Sequence, residues 1–319
     1  MQSAYSFVSV AMTNHIYQSP LNYTGGKYRL LPQILPYFPK GINTFIDLFC
    51  GGCNVGLNVI ATNHTYNDIN PWLIGLYSAF KNNDKGLMLN TVYEIINKHN
   101  LSLVSKYGYA YYNCDSSSGL GPYNRDHFRN LKIHFNQYTG IKDYYYYAML
   151  YVLIVYSFNN QIRFNKDGEF NLPIGKRDFN SKMESKLLAF IDIIKSQNAS
   201  FTCLDFTGID SSLLSTSDFV YIDPPYLITC ATYNEQNAWN EEKEHLLLKY
   251  IDNLTARHIR CALSNVLSSK GKINIILNNW LKCNVSKYNV HHLRKSYANS
   301  SYHTSEIEGI SDEVLITNY

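Results

Sequence analysis

Short apolar runs that end on a polar residue alternate along much of the chain with longer segments of helical spacing. Six runs have the length and composition of strands, at residues 44–49, 64–70, 199–206, 219–222, 260–264 and 313–319. Three segments between them are predicted to be helices, at residues 54–60, 185–197 and 241–257. This alternation predicts an α/β fold with a mostly parallel sheet and helices on both of its faces.

The pattern changes between about residues 72 and 156, where helical spacing dominates. The predicted helices here cover residues 72–81, 87–99, 125–138 and 144–158. The stretch QIRFNKDGEFNLP, residues 161–173, contains an Asp-Gly pair between two short runs, which predicts a β-hairpin. We therefore expect an inserted domain over residues 73–181 and another domain formed by residues 1–72 and 182–319.

Composition adds little to this outline. The 319 residues are 45% hydrophobic and 17% charged, with a net charge of +3, which permits nucleic acid as a partner but does not require it. The 28 tyrosines and the frequent asparagines suit base stacking and base-edge contacts. A codon bias of the source genome is the simpler explanation of the same counts.

The cysteines and the hydropathy of the chain bear on its surroundings. Only Cys50 and Cys53 of the seven cysteines are close together, and no second pair or nearby histidine completes a zinc site. We expect reduced structural thiols, no metal and a cytoplasmic location. No run reaches the roughly 18 apolar residues of a membrane span, and the N-terminus lacks the charged start of a signal peptide. Met12 is an alternative start to Met1.

A glycine turn follows the first predicted strand in FIDLFCGGCNVG, residues 45–56. Such a turn lets a ligand approach the backbone closely. Cys53 occupies the place of a third glycine and no Walker lysine follows, so the expected ligand is a nucleoside without a pyrophosphate. Asp47 and Asp68 would contact its polar groups, and Asp68 has the spacing of a ribose-binding carboxylate. Alternatively, Asp68 is a turn or helix-capping residue before Pro71.

A carboxylate and two prolines end another strand in FVYIDPPYLIT, residues 219–229. Open α/β sheets bind ligands at the carboxyl ends of their strands. Pro224 has no N–H but keeps a free carbonyl oxygen beside the carboxylate of Asp223, and two converging acceptors suit an amine with two N–H groups. Tyr226 offers a ring on which a flat base can stack. The alternative is a strand ended by proline, with a buried tyrosine after it.

These motifs, in this order, resemble those of the Dam-type DNA adenine methyltransferases, which use S-adenosylmethionine. The resemblance runs from about Asn22 to the C-terminus. It is carried by NYTGGKYRLLPQI, FIDLFCGGCNVGLN, YNDINPWLIGLY, FNNQIRFNKDGEFNLPIGK, IDPPY, LSN at residues 263–265 and EVLITNY at the end. IDPPY is moderately specific alone and becomes a strong signal together with RFNKDGEFNLPIG and TGGKYRLL.

The resemblance implies a Rossmann-like methyltransferase sheet and an inserted domain that recognises the DNA target. The residues expected at the reaction centre are Asp223, Pro224, Pro225, Tyr226 and Phe49. The residues expected to bind S-adenosylmethionine are Tyr23, Lys27, Asp47, Gly51, Asp68, Asp205, Phe206 and Asp223. The residues expected to contact DNA are Asn22, Gln161, Arg163, Asn165, Lys166, Asn171, Pro173, Lys176 and Arg177.

The implied reaction is methylation of the exocyclic amine of adenine in double-stranded DNA, at GATC or another GAT-containing site, after base flipping. We expect a monomer that has no contact with membranes, with a cognate restriction enzyme as a functional partner. Asn22 stands where the best-known Dam enzymes have Lys, Tyr23 where they have Trp, and Gln161 where they have Leu. Asn22 and Gln161 bear on which outer bases are read.

Two other classes of function remain open at this point. A methyltransferase of the same fold can act on RNA or on a protein amide. The chain could also be a DNA-binding regulator that has the methyltransferase fold but no activity. The hairpin and the large helical insert favour duplex DNA over the first, and the intact Asp223, Lys27 and Asp68 argue against the second.

Overall fold

A mixed sheet lies at the centre of the computed structural model, which describes residues 16–229, 239–294 and 311–319. Met12 lies outside these residues. The strands in chain order are β1 (Ile42–Asp47), β2 (Ala61–Asn67), β3 (Ala199–Thr202), β4 (Phe219–Ile222), β5 (Arg260–Ser269), β6 (Lys272–Ile273), β7 (Asn289–Leu293) and β8 (Asp312–Thr317). Their order in the sheet is β3-β2-β1-β4-β5-β8-β7, with β6 paired to β5.

The first five strands are parallel, and the remaining pairs are antiparallel. β4 is buried along its whole length, as is typical of a central strand in a parallel sheet. β1 lies between β2 and β4, so the strands that follow β1 in the chain are added first on one side of it and then on the other. The crevice at such a switch point is where open α/β sheets bind ligands. The predicted α/β class and the mostly parallel sheet are confirmed.

The helices cover both faces of the sheet. They are α1 (Leu31–Ile34), α2 (Pro71–Asn82), α3 (Lys85–Lys98), α4 (Val104–Tyr107), α5 (Gly121–Asn136), α6 (Tyr144–Tyr156), α7 (Ser181–Ser196), α8 (Glu241–Ala256) and α9 (Ile275–Cys283). Ile46 and Val220 belong to the same apolar cluster as residues of α8 and α9. Their neighbours Phe45 and Phe219 belong to a cluster with Ile34 of α1, because successive side chains of a strand point to opposite faces.

The helical insert has its own centre in α6. Almost every side chain of α6 is buried, as expected of a helix that is apolar on all sides. It contacts α2, α3 and α5, and its cluster continues into Tyr66 of β2. The predicted helices of this region are confirmed within a few residues at their ends. The division into domains at residues 73 and 181 stays a prediction. No helix among the described residues has the length and apolarity that would be needed to cross a membrane.

Several asparagines serve as helix caps. The side-chain oxygens of Asn70, Asn180, Asn240 and Asn274 accept backbone N–H groups in the first turns of α2, α7, α8 and α9. These bonds satisfy donors that have no partner inside the helix. Part of the high asparagine content therefore has a structural role, whatever its genomic origin.

The predicted helix at residues 54–60 is wrong. Only Gly56–Asn58 form a short 3₁₀ turn. The Asn54 and Asn58 side chains accept hydrogen bonds from the backbone N–H groups of Ser19 and Tyr17, respectively, so this segment is bonded to the N-terminal segment of the chain. Gly56 lies so close to Tyr66 that a Cβ atom there would be 2.3 Å from the ring. This contact needs a glycine, the least favourable helix former after proline.

Three strand ends also differ from the predictions. β2 ends at Asn67 rather than residue 70, and β3 ends at Thr202 rather than near Asp205. Asn67 causes both changes in part, since its side chain bonds to the backbone N–H and C=O of Leu204 and draws that segment out of the ladder. β5 continues to Ser269, past residue 264, because it pairs with β8 and β6.

The predicted hairpin is confirmed as a tight turn with short arms. Phe164 and Phe170 form a bridge, and Asn171 N–H donates to the carbonyl of Arg163 at 3.2 Å. Gly168 has φ +77°, which favours glycine. Phe164 stacks on Trp72 of α2 with ring centroids 3.8 Å apart. The hairpin is thereby fixed to the helix that follows β2.

Candidate active site

The glycine turn after β1 is held by groups from β2 and α2. Gly51 has φ +44°, and its N–H donates to Asp68 Oδ2 at 3.0 Å while its carbonyl accepts the Tyr77 hydroxyl at 2.6 Å. The other oxygen of Asp68 accepts Asn70 N–H at 2.9 Å. Asp68 therefore serves the turn before α2, which was one of the alternatives for it. Burial raises the pKa of Asp68, and the N–H groups of Asn70 and Gly51 oppose this.

Tyr23 lies against this turn from the N-terminal segment. A Cβ atom on Gly51 would be 2.9 Å from the Tyr23 ring, so a larger residue at 51 would have to displace the ring. Cys53, which occupies the place of a third glycine in the turn, also has a positive φ, +58°. The turn is thus a strained backbone surface next to a buried carboxylate, of the kind that a nucleoside can approach closely.

A second group of side chains meets at the end of β4. Lys27 Nζ is 2.8 Å from Asp223 Oδ1, and the Tyr226 hydroxyl donates to the same oxygen at 3.2 Å. Lys27 also lies over the Tyr226 ring, 4.8 Å from its centroid. The Lys27 side chain is only 3% exposed, and that of Asp223 is 18% exposed. An ion pair this well buried is only weakly screened by solvent.

The pKa of Asp223 is raised by burial, and Lys27 opposes the rise. Burial, followed by the charge of Asp223, also raises the pKa of Asp47 at the end of β1. Asp47 and Asp223 belong to adjacent strand ends, since Asp47 pairs with Tyr221 in the sheet. Two carboxylates and one lysine therefore share a small, partly dry region at the switch point of the sheet. Such concentrations of perturbed groups are typical of functional sites.

Aromatic rings form one wall beside these carboxylates. Phe49, Phe206 and Trp239 are mutual neighbours, with centroids 5.6–5.8 Å apart. The Trp239 indole donates to Glu244 Oε2 at 2.5 Å, which fixes its orientation. Asp205 accepts N–H and O–H of Thr207 and lies 3.5 Å from Lys243 Nζ. Asp205 therefore also caps the short 3₁₀ turn Phe206–Gly208.

The cysteines do not take part in this network as reactive groups. Burial raises the pKa of both Cys50 and Cys53, which keeps them protonated and poorly nucleophilic. The six cysteines within the described residues are free thiols. Cys230 lies outside those residues. Within the same part of the chain, His, Cys, Asp and Glu side chains form no group of three that could hold a metal ion.

The hairpin residues expected to contact DNA fall into two sets. Arg163 and Asn165 are half-buried and bonded within the hairpin, Arg163 Nε to Asn171 Oδ1 at 2.7 Å and Asn165 Nδ2 to Glu169 Oε2 at 3.0 Å. The other set is exposed and consists of Lys166, Pro173, Lys176 and Arg177. The first set would have to exchange a bond within the protein for one with a base.

Two of the residues expected to contact DNA join the hairpin region to the N-terminal loop, and their DNA contacts stay a prediction. Asn22 Nδ2 donates to the carbonyl of Asn159 at 2.8 Å, and Gln161 Nε2 lies 3.4 Å from Thr24 Oγ1. The N-terminal loop from Asn22 to Lys27 therefore contacts the hairpin at one end and Asp223 at the other. The sequence pattern contained no sign of this connection.

Two further residues belong to the site and a third lies beside the hairpin, although the sequence pattern gave none of them a role. Glu313 of β8 is buried beside Tyr226 and Lys27. Trp239 completes the aromatic wall, and Phe158 at the start of the hairpin is 53% exposed. An acid that opens an otherwise apolar strand was the available signal for Glu313. A large apolar side chain in an asparagine-rich stretch was the signal for Phe158.

Comparison with known proteins gives a consistent result. The model of the D12 class N6 adenine-specific DNA methyltransferase family matches residues 23–299. The chain is 41% identical to type II methyltransferase M.FokI of Planomicrobium okeanokoites, over 96% of this chain and 44% of that protein. It is 40% identical to modification methylase StsI of Streptococcus sanguinis, over 98% of this chain and 44% of that protein.

Identity is lower, but coverage is more even, for the DNA adenine methylase of Escherichia coli strain K12. That protein is 28% identical over 77% of this chain and 79% of its own length. The chain thus spans less than half the length of M.FokI and StsI and most of the length of the adenine methylase. On the match to the family model, the chain belongs to the D12 class of N6 adenine-specific DNA methyltransferases.

Proposed function

We propose that this chain transfers a methyl group from S-adenosylmethionine to the exocyclic amine of adenine in double-stranded DNA. The observation that carries the proposal is the position of Asp223. Its carboxylate directly follows the central strand β4, is held by Lys27 at 2.8 Å and by the Tyr226 hydroxyl at 3.2 Å, and adjoins a proline carbonyl. Family membership supports DNA as the substrate.

The residues around the glycine turn suit the proposed cofactor. Asp68 is buried at the end of β2 with two N–H donors on it, and a carboxylate has capacity for further hydrogen bonds to ribose hydroxyls. Tyr23 and Gly51 would line the same side, and Phe49 and Phe206 offer rings for the adenine moiety. S-adenosylmethionine supplies an activated methyl group when bound. Asp47 and Lys27 would place charges of both signs near it.

Asp223 and the Pro224 carbonyl would prepare the amine for reaction. The nitrogen lone pair of an adenine amine is delocalised into the ring, so the amine is a weak nucleophile. Two acceptors that each accept a hydrogen bond from one N–H group draw the nitrogen toward a tetrahedral geometry. The lone pair is then less delocalised and can attack the methyl group. Orientation of this kind can supply on the order of 7–11 kcal/mol, and acceptors fixed in advance need no reorganisation during the reaction.

The target base would have to leave the helix, because its amine cannot be reached inside a duplex. Lys27 lies over one face of the Tyr226 ring, and the other face can stack on the extruded base, a contact worth roughly 1–3 kcal/mol. The exposed Phe158 ring lies at the start of the hairpin. Apolar side chains at such positions can insert between bases.

The hairpin would read the sequence from the major groove. Arg163 suits the O6 and N7 atoms of a guanine, while Lys166, Lys176 and Arg177 would contact phosphates, which position the protein without reading bases. We propose GATC or another GAT-containing target. The names of M.FokI and StsI, a type II methyltransferase and a modification methylase, support a function alongside a restriction enzyme.

Methyl transfer to defined nucleic acids tests the proposal. We would incubate the chain with S-adenosylmethionine labelled in its methyl group and with duplexes that contain GATC or each of its single-base variants. Single-stranded DNA and RNA of the same sequence serve as controls. We expect label in duplex DNA only, recovered as N6-methyladenine after digestion. Label in RNA alone would contradict the proposal, and DNA binding without any transfer would favour a regulator.

A further inference from the structure

A further buried carboxylate, in addition to Asp47, lies beside the proposed reaction centre. Glu313 is 2% exposed, and its Oε1 atom is 3.3 Å from the Tyr226 hydroxyl and 3.8 Å from Lys27 Nζ. β8 carries Glu313 to this place because it runs antiparallel to β5, where Glu313 lies opposite Val266. Acidic side chains are rarely fully buried unless they are paired with another charge or hydrogen-bonded.

The charges that the described residues bring to this cluster do not cancel. One ammonium group, that of Lys27, lies between the carboxylates of Asp223 and Glu313. If Lys27 had Asp223 as its only charged neighbour, the pair would be neutral and Asp223 would be a weaker acceptor for an amine. With Glu313 present, the ionised groups of Lys27, Asp223 and Glu313, counted among the described residues, sum to one negative charge. A negative cluster favours positive charge on a neighbouring atom.

The Tyr226 hydroxyl connects the two carboxylates. It lies 3.2 Å from Asp223 Oδ1 and 3.3 Å from Glu313 Oε1. A phenol has one hydrogen to donate and can accept others, so at a given moment it donates to only one carboxylate. When Asp223 is ionised, the hydroxyl can donate to it. When Asp223 holds a proton, Asp223 can donate to the hydroxyl, and the hydroxyl can then donate to Glu313.

We propose that Glu313 is a positioning residue for the methyl transfer, acting through Tyr226 and Lys27 to keep Asp223 a strong acceptor. The inference rests on the function proposed above. As the N6–CH₃ bond forms and the C–S bond breaks, the sulfonium becomes a neutral thioether and N6 becomes positively charged. Loss of one N6 proton to Asp223 restores a neutral amine. Glu313 favours this step by adding negative charge and by accepting the Tyr226 hydroxyl.

The surroundings of Glu313 determine the expected pH dependence. Within the described part of the chain, the titratable groups near it are Lys27, Asp223, Tyr226 and, on β4, Tyr221, whose hydroxyl bonds to Ser264. Asp47, at the end of β1, also faces Asp223. Burial, as the largest cause, and then the charge of Glu313 raise the pKa of Asp223, whereas Lys27 lowers it. Asp223 can take up the N6 proton only when it is ionised, so activity is lost as the pH falls through its pKa.

The test compares two isosteric or near-isosteric changes with opposite expected signs. In Glu313→Gln we expect the single-turnover rate at neutral pH to fall by roughly 10-fold to 100-fold, the range for losing a hydrogen bond to a charged group. We also expect the acid limb of the pH–rate profile, the range where the rate falls with falling pH, to move to lower pH. The reason is that one negative charge that raises the pKa of Asp223 has been removed. In Lys27→Gln the acid limb should move to higher pH.

Two variants separate charge from structure. Glu313→Asp keeps the charge and should keep the acid limb close to that of the wild type. Asp312→Asn removes the neighbouring carboxylate of β8, which is paired with His292 at 2.7 Å, and should change neither rate nor acid limb. Thermal melting and binding of S-adenosylmethionine show whether each variant is folded. If Glu313→Gln does not fold, Tyr226→Phe breaks the same link from the other side.

The outcomes distinguish the two proposals. A Glu313→Gln protein with the wild-type rate and acid limb would overturn this inference alone. A slower variant whose acid limb does not move would assign Glu313 a purely structural role and would also overturn it, as would a folded Tyr226→Phe protein with the wild-type rate. If the wild-type chain transfers no methyl group to any duplex, the proposed function fails, and the inference fails with it.

Discussion

The end of β4 and the hairpin at residues 161–173 each hold a cation in place, but by different means. The charged partners of Lys27, Asp223 and Glu313, come from two other segments of the chain, and its Nζ also donates to the nearby Gly25 carbonyl at 2.9 Å. Arg163 bonds to the side-chain and backbone oxygens of Asn171, a neutral partner eight residues away in the same hairpin. The first arrangement depends on tertiary structure, whereas the second is local.

The difference indicates which region can rearrange when DNA binds. Removing one partner from a buried ion pair leaves an uncompensated charge and is strongly destabilising. A neutral hydrogen bond in a half-exposed hairpin has a net value of only about 1 kcal/mol, so Arg163 can exchange Asn171 for a base at small cost. On the roles proposed above, we therefore expect the reaction centre to be assembled before DNA binds and the contacts that read bases to form on binding.

The two regions are connected by the N-terminal loop. Asn22 donates to the carbonyl of Asn159 at the base of the hairpin, and Lys27, at the other end of the loop, bonds to Asp223. On the roles proposed above, a movement of the hairpin on binding DNA would reach the reaction centre through the six residues 22–27. The comparison can be tested by substitutions on each side, which should differ in the size and the kind of their effects.

We expect the largest effect from Asp223→Ala. Loss of the carboxylate removes one of the two acceptors for the amine, and single-turnover methyl transfer should fall by on the order of 10²–10⁴-fold, the range of general acid–base groups. Binding of a target duplex, measured by fluorescence anisotropy, should change little. Asp192→Ala is the matched control, because it removes an exposed carboxylate that is paired with Lys85. Substantial methyl transfer by Asp223→Ala would refute the role of this residue.

The same two regions differ in how well the sequence predicts them. Asp223 could be placed because its signal is local: an apolar run, an acid and two prolines specify a strand end without knowledge of its neighbours. Asp167-Gly168 specified the hairpin turn in the same way. Glu313 could not be placed, since it meets Tyr226 from 87 residues away through an antiparallel strand that the pattern did not position. Trp239 joins the aromatic wall by a similarly distant contact.

The local sequence pattern predicted the wrong structure where an asparagine side chain bonds to backbone groups outside a regular helix or strand. Asn67 draws residues 203–205 out of β3, and Asn54 and Asn58 tie the predicted helix to the N-terminal segment. Asparagine side chains can bond to the backbone as donors and acceptors, so they offer an alternative to helices and ladders. Which backbone they choose is decided by the tertiary structure, and for that reason periodicity alone could not show it.

An intermediate and selective effect is expected from Arg163→Ala. If Arg163 reads a guanine, its loss should reduce discrimination at one base pair by roughly 1–3 kcal/mol and leave discrimination at other positions unchanged. Rates on a panel of single-base variants measure this directly. Asn171→Ala is the matched variant, since it frees Arg163 from its partner in the hairpin but keeps the guanidinium. An equal loss on every duplex in Arg163→Ala would show that this residue does not read a base.

The smallest effect is expected from Lys176→Ala. Its side chain is exposed, while its backbone carbonyl accepts Leu120 N–H at 3.0 Å, so the substitution removes a charge and leaves the local backbone bond in place. A lysine that contacts a phosphate should weaken all duplexes alike and lower the slope of log affinity against log salt by about 1. Lys282→Ala removes the same charge from the end of α9, which contacts α8 and β5, and should leave the slope unchanged. If the loss of affinity in Lys176→Ala depended on the base sequence, Lys176 would contribute to reading bases as well as Arg163.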